Sequence, residues 1–111
     1  MDKPIIVCLC GSTKFKDEFF KANFRETMAG KIVLSVGFFA HADSLEITEE
    51  EKTFVDELHK RKIDLADEVL ILNVGKYIGE STMSELEYAI EHDKHVRFLE
   101  HDSRIWEEFG F

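Results

Sequence analysis

One carboxylate and two hydroxyl-bearing loops are the parts of this sequence best suited to chemistry. Glu85 stands in the stretch from Gly75 to Ala89, GKYIGESTMSELEYA, which follows the apolar run Val69 to Val74. Gly79, Ser81, Thr82 and Ser84 lie just ahead of it. A buried strand that ends in a Gly-containing loop and turns into a helix aims free N–H groups and the positive end of the helix dipole at whatever occupies the loop. Thr82-x-x-Glu85 has two readings. One is a capping box, where Glu is ordinary. The other is a catalytic carboxylate at the mouth of a crevice, able to attack a sugar's anomeric carbon or to stabilise oxocarbenium-like charge.

The second loop is Gly11-Ser12-Thr13-Lys14, directly after the apolar run Ile5 to Cys10. Ser12, Thr13, Ser81 and Thr82 read either as helix caps or as groups that hold a phosphate or a sugar hydroxyl. Lys14 could supply positive charge beside them. Phe38, Phe39, His41 and Asp43 fall in a further loop after the second strand. There Phe39 and His41 could contact a base, against the plainer reading of rings packed under the loop and solvated polar groups. His59, inside a charged helical stretch, reads as solvated. Cys8 and Cys10 sit at i and i+2 of one strand and so share a face. They read as core thiols, with no partnering Cys or His pair to suggest zinc. No metal and no cofactor are expected.

These loops need a scaffold, and the hydrophobic pattern supplies one. Ile5–Cys10, Ile32–Val36, Val69–Val74 and His95–Leu99 read as strands, the last less apolar and so an edge. Between the first two, Phe15, Phe19, Phe20, Phe24 and Met28 recur at helical spacing, with Ser12 or Thr13 as the N-cap and Gly30 as the stop. Thr48-Glu49-Glu50-Glu51 is a capping box opening a charged helix whose apolar side is Phe54, Val55, Leu58 and Leu65. A third helix starts at Ser81, and the tail from His101 to Phe111 reads as a short helix or turn. The order β-α-β-α-β-α-β predicts an α/β fold: a small doubly wound parallel sheet, strand order 2-1-3-4, with helices on both faces. The first and third strands are then neighbours, and the two Gly/Ser/Thr loops meet at the topological switch point.

At 111 residues there is room for one domain and one core. A formal charge of -9 argues against nucleic-acid polymers and anionic membranes as partners. No apolar run approaches the roughly 20 residues of a membrane helix. The N-terminal MDKPIIVCLC reads as a strand and not a signal peptide, so the expected location is cytoplasmic.

With Cys10-Gly11-Ser12-x-Lys14, Ala66-Asp67-Glu68-Val69-Leu70 and Gly79-Glu80-Ser81-Thr82-x-x-Glu85-Leu86-x-Tyr88-Ala89 in this order, the chain resembles the nucleoside 2-deoxyribosyltransferase-like family, which includes the nucleoside 5′-monophosphate N-glycosidases. The resemblance runs over nearly the whole chain and is strongest from Asp67 to Ala89. It implies Glu85 as the nucleophile, sugar or phosphate contacts from Gly11 and Ser12, and further contacts from Gly79, Ser81 and Thr82. Lys14 stands where the monophosphate glycosidases have Arg. Gly79 stands where transferases have an Asp, and His59 where the family has a second acid. The implied activity is N-glycosidic-bond chemistry on a nucleoside or nucleoside 5′-monophosphate. The implied assembly is a homo-oligomer, a dimer foremost. A non-catalytic nucleotide-binding module using the same crevice is the alternative.

Overall fold

A computed structural model describes residues 2–111. The elements run β1 (Ile6–Cys10), α1 (Lys16–Met28), β2 (Ile32–Leu34), α2 (Glu49–Leu65), β3 (Glu68–Ile71), a 3-10 turn (Val74–Lys76), α3 (Glu80–Glu91), β4 (His95–Phe98) and α4 (Ser103–Phe109). The four strands form one sheet in the order β2-β1-β3-β4. Every pairing is parallel, with Cys8 beside Leu34 and Val69, and Cys10 beside Ile71. The α/β fold is therefore the doubly wound 2-1-3-4 sheet that the alternation of elements predicts. None of the described helices is long and apolar enough to cross a membrane.

The two-residue period of the strands divides the core. Val7, Leu9, Leu70 and Leu72 face one way and pack with Phe19 and Ala22 of α1. Cys8, Cys10, Val69 and Ile71 face the other way, against Ile63 of α2, Leu86 and Ala89 of α3 and Ile105 of α4. β4 is an edge strand, as its mixed composition predicts, and Trp106 of α4 packs on Phe98 with ring centroids 4.9 Å apart.

Two helices present different faces from those the aromatic residues suggest. On α1 the buried residues are Phe19, Ala22 and Glu26, whereas Phe20, Phe24 and Met28 are 57%, 71% and 72% exposed. Phe19 enters the core between β1 and Phe39, and Phe20, about 100° further round a 3.6-residue helix, turns away from the sheet. On α2 the buried residues are His59 and Ile63, while Phe54, Leu58 and Leu65 lie exposed. The capping box of α2 is present: the Thr48 hydroxyl accepts from Glu51 N at 3.1 Å, and the Glu51 carboxylate accepts from Thr48 N at 2.9 Å.

The turns into α1 and α3 also differ from expectation. Phe15, not Ser12 or Thr13, is the N-cap residue of α1, because the chain first makes a turn in which Phe15 N donates to Ser12 O at 3.0 Å. α3 starts at Glu80 with Gly79 as its N-cap residue and no side-chain cap, so Thr82 and Glu85 form no capping box. Both are instead buried. Gly11 is required by close approach: a Cβ there would stand 3.1 Å from Leu72 Cβ and 3.2 Å from Leu72 O. Beyond β3, the Asn73 amide donates to Glu100 O and Glu100 N donates to Asn73 Oδ1, each at 2.9 Å, which pins the end of β3 to the end of β4.

Candidate active site

A cavity of about 840 Å³ opens beyond the C-terminal ends of β1 and β3. This is the switch point of the sheet, where α/β proteins place their ligands. Gly11, Ser12 and Thr13 form one wall and Gly79, Ser81, Thr82 and Glu85 another, so the two loops do meet. The segment between β2 and α2 adds His41 with the apolar groups Phe38, Leu45 and Ile47. That segment is tied to the Gly11 loop and to α1. Thr13 Oγ1 and His41 Nδ1 are 2.6 Å apart, and Lys16 Nζ donates to Asp43 at 2.7 Å.

Lys14 and Phe39 do not line the cavity. The Lys14 ammonium lies over the Tyr77 ring, 3.6 Å from its centroid, where cation–π attraction holds it. Phe39 packs edge-on against Phe19 at 5.4 Å and tilts on Phe20 at 5.7 Å, so it is a support beneath the loop, and its neighbour Phe38 lines the cavity, as does Tyr77. The Tyr88 hydroxyl is drawn to α2: it donates to Asp64 at 2.5 Å and accepts from Arg61 at 2.9 Å, away from the cavity.

The fourth wall is α2, which carries groups that sequence reasoning left out of the site. Lys52, Asp56, His59 and Lys62 all line the cavity. Lys52 Nζ donates to Asp56 at 2.8 Å and to Ser81 Oγ at 3.0 Å, and Ser81 Oγ donates to Asp56 at 3.2 Å. This triangle joins α2 to the first turn of α3 and raises the Lys52 pKa, chiefly through the hydrogen bond to Asp56. The signal was present in the spacing. Positions 52, 56, 59 and 63 repeat at helical period, and Ile63 marks that stripe as the inward one.

Deeper in, His59 reverses its expected solvated role. It is 6% exposed, and its Nε2 donates to Leu9 O at 3.0 Å. The same nitrogen stands 3.5 Å from Cys10 Sγ and 3.6 Å from Cys8 Sγ, so the two thiols have a histidine partner after all. Burial lowers the His59 pKa, but the Cys8 hydrogen bond and the negative charge of Glu85 outweigh it and the pKa is raised. The thiols split: interaction with the neighbouring Cys10, ahead of contact with His59, lowers Cys8, while interaction with Cys8 and burial raise Cys10.

Glu85 sits above this group, 7% exposed. Burial pushes its carboxyl up to about 7, with the His59 charge opposing and the negative groups Cys8 and Asp56 adding to the rise. The site thus combines one poorly solvated carboxylate, hydroxyls on two sides, a paired lysine and an apolar wall. No protein-family model matches the chain, and no curated protein matches it.

Proposed function

We propose that the cavity carries out N-glycosidic-bond chemistry on a nucleoside or nucleoside 5′-monophosphate, with Glu85 as the nucleophile. The observation that carries this reading is the burial of Glu85 on the wall of a cavity of about 840 Å³, flanked by Ser12, Ser81 and Thr82. That volume lies in the range of small-molecule sites. A carboxylate with little solvation is a better nucleophile than a hydrated one.

In this reading Ser12, Ser81 and Thr82 hold the sugar or phosphate, and Phe38, Leu45 and Ile47 face the base. A Glu85 oxygen bonds to the anomeric carbon as the carbon–nitrogen bond breaks. The electron pair leaves with the base, which takes a proton from water. A second water, or a second base, then displaces Glu85 and restores it. Lys52 supplies the cation that the sequence suggested for Lys14, and Asp56, through its hydrogen bonds to Lys52 and Ser81, holds the two in place. The apolar row Phe20, Phe24 and Met28 on α1 gives the homo-oligomer implied by the resemblance a surface to use.

One observation favours the alternative, a nucleotide-binding module without turnover. Gly79 offers no acid where transferases have one, and a Cβ there would stand 3.3 Å from the Tyr77 hydroxyl. Release of free base from a panel of ribo- and deoxyribonucleosides and their 5′-monophosphates separates the two. Release supports the enzyme. A raised melting temperature with nucleotide and no release from any substrate supports the module.

A further inference from the structure

Beneath the cavity, two thiols and an imidazole converge in a core cluster whose other buried members are aliphatic. Cys8 and Cys10 are fully buried and His59 nearly so, among Ile63, Val69 and Ile71. The strand period puts both sulfurs on the α2 face of β1, and α2 delivers His59 onto them. One potential ligand atom from each residue lies within 4.8 Å of the other two.

We infer that Cys8, Cys10 and His59 form a preorganised three-ligand site for a divalent metal ion of the zinc class. The two nitrogen–sulfur distances are those of a tetrahedral site. Zinc–sulfur bonds of about 2.3 Å and zinc–nitrogen bonds of about 2.0–2.1 Å place a nitrogen and a sulfur ligand roughly 3.5 to 3.6 Å apart. The structure has His59 Nε2 at 3.5 and 3.6 Å from the two sulfurs. Charge fits as well, since two thiolates neutralise a divalent cation and leave no net charge to bury. Softness fits: two sulfurs and one imidazole select zinc-like ions over magnesium or calcium. On binding, both thiols release their protons to solvent. The imidazole proton moves from Nε2 to Nδ1, and Leu9 O gives up its hydrogen bond. His59 also belongs to the cavity wall, so a water from the cavity can take the fourth position. The ion would then lie under Glu85 and help hold the floor of the site.

This inference stands apart from the glycosidic reading and does not rest on it. The test uses the full, reduced, metal-free chain titrated with cobalt(II) and then with zinc. The expected result is one cobalt per chain, a thiolate-to-cobalt charge-transfer band with intense visible bands of a tetrahedral ion, and displacement by zinc. Zinc should also raise the melting temperature of the wild type. X-ray absorption of the zinc form should count two sulfur neighbours, a result that needs no variant to fold. Cys8→Ser and Cys10→Ser should weaken or abolish the charge-transfer band, and His59→Gln should alter the visible bands. Glu85→Gln should still take up cobalt even though it loses any base release. A folded wild type with no thiolate-to-cobalt band overturns the proposal. So does a zinc site with no sulfur neighbours, or cobalt spectra unchanged by all three ligand variants.

Discussion

Lys52 Nζ stands 3.0 Å from Ser81 Oγ, joining the first turns of α2 and α3 across the cavity. It is the lysine on this wall that is poised beside the α3 hydroxyls, while Lys14 is held over the Tyr77 ring. If Lys52 binds a phosphate, Lys52→Met removes a charge-assisted hydrogen bond worth about 1.5–3 kcal/mol. Binding of a nucleoside 5′-monophosphate should weaken roughly 10- to 100-fold, and binding of the unphosphorylated nucleoside should change little. Calorimetric titration of both ligands checks this. Lys14→Met should leave both affinities nearly unchanged.

The two faces of α1 make opposite predictions for stability. Phe19 is fully enclosed between β1 and Phe39, so Phe19→Ala should cost about 3–5 kcal/mol in denaturant unfolding. Phe24 is 71% exposed, so Phe24→Ala should stay within about 0.5 kcal/mol in the isolated chain. Equal losses at the two positions would contradict the observed helix face. A loss at Phe24 that depends on protein concentration would point to the oligomer.

At the far end of β3, Glu68 accepts from Lys31 Nζ at 2.5 Å and from Arg97 at 3.0 Å. Arg97 and Lys31 also pair with the buried Glu26 of α1, and His95 lies beside Glu68 in the β3–β4 register. Burial would raise the Glu68 carboxyl, but Lys31 and Arg97 prevail and lower it. A lowered carboxyl stabilises the fold above its unfolded-state value, and that contribution is lost as pH falls through the lower folded-state value. Glu68→Gln should therefore destabilise the chain at neutral pH by about 1–3 kcal/mol. The difference from wild type should shrink below the ordinary glutamate range. Urea unfolding of both proteins across acidic pH measures it. A difference that grows on acidification would contradict the pairing.

The sheet was legible because its strands are continuous or nearly continuous apolar runs, and right-handed parallel crossovers leave few ways to order them. The meeting of the Gly11 and Gly79 loops followed from that order. Helix faces were harder to read. The helical spacing of Phe15, Phe19, Phe20, Phe24 and Met28 suggests one apolar face, yet on α1 burial follows Phe19, Ala22 and Glu26. On α2, charged neighbours suggest solvent for His59, although its period with Ile63 points inward. The partnership of Cys10 with His59 spans 49 residues, a separation that no local pattern reports. Glu85 was legible as a candidate, but its burial depended on where α3 begins: with Gly79 as the N-cap residue, Thr82 lies inside the helix and not at its cap, which removes the capping-box reading.

The claim that Glu85 bonds to the anomeric carbon is met most directly by chromatographic measurement of free base, with wild type and Glu85→Gln run side by side on the nucleoside and 5′-monophosphate panel. Nucleotide binding is followed in parallel by thermal shift. The account predicts release by the wild type, a fall of at least about a thousandfold in Glu85→Gln, and nucleotide binding retained in both. Equal release by the two proteins, or no release by the wild type from any member of the panel, would contradict it.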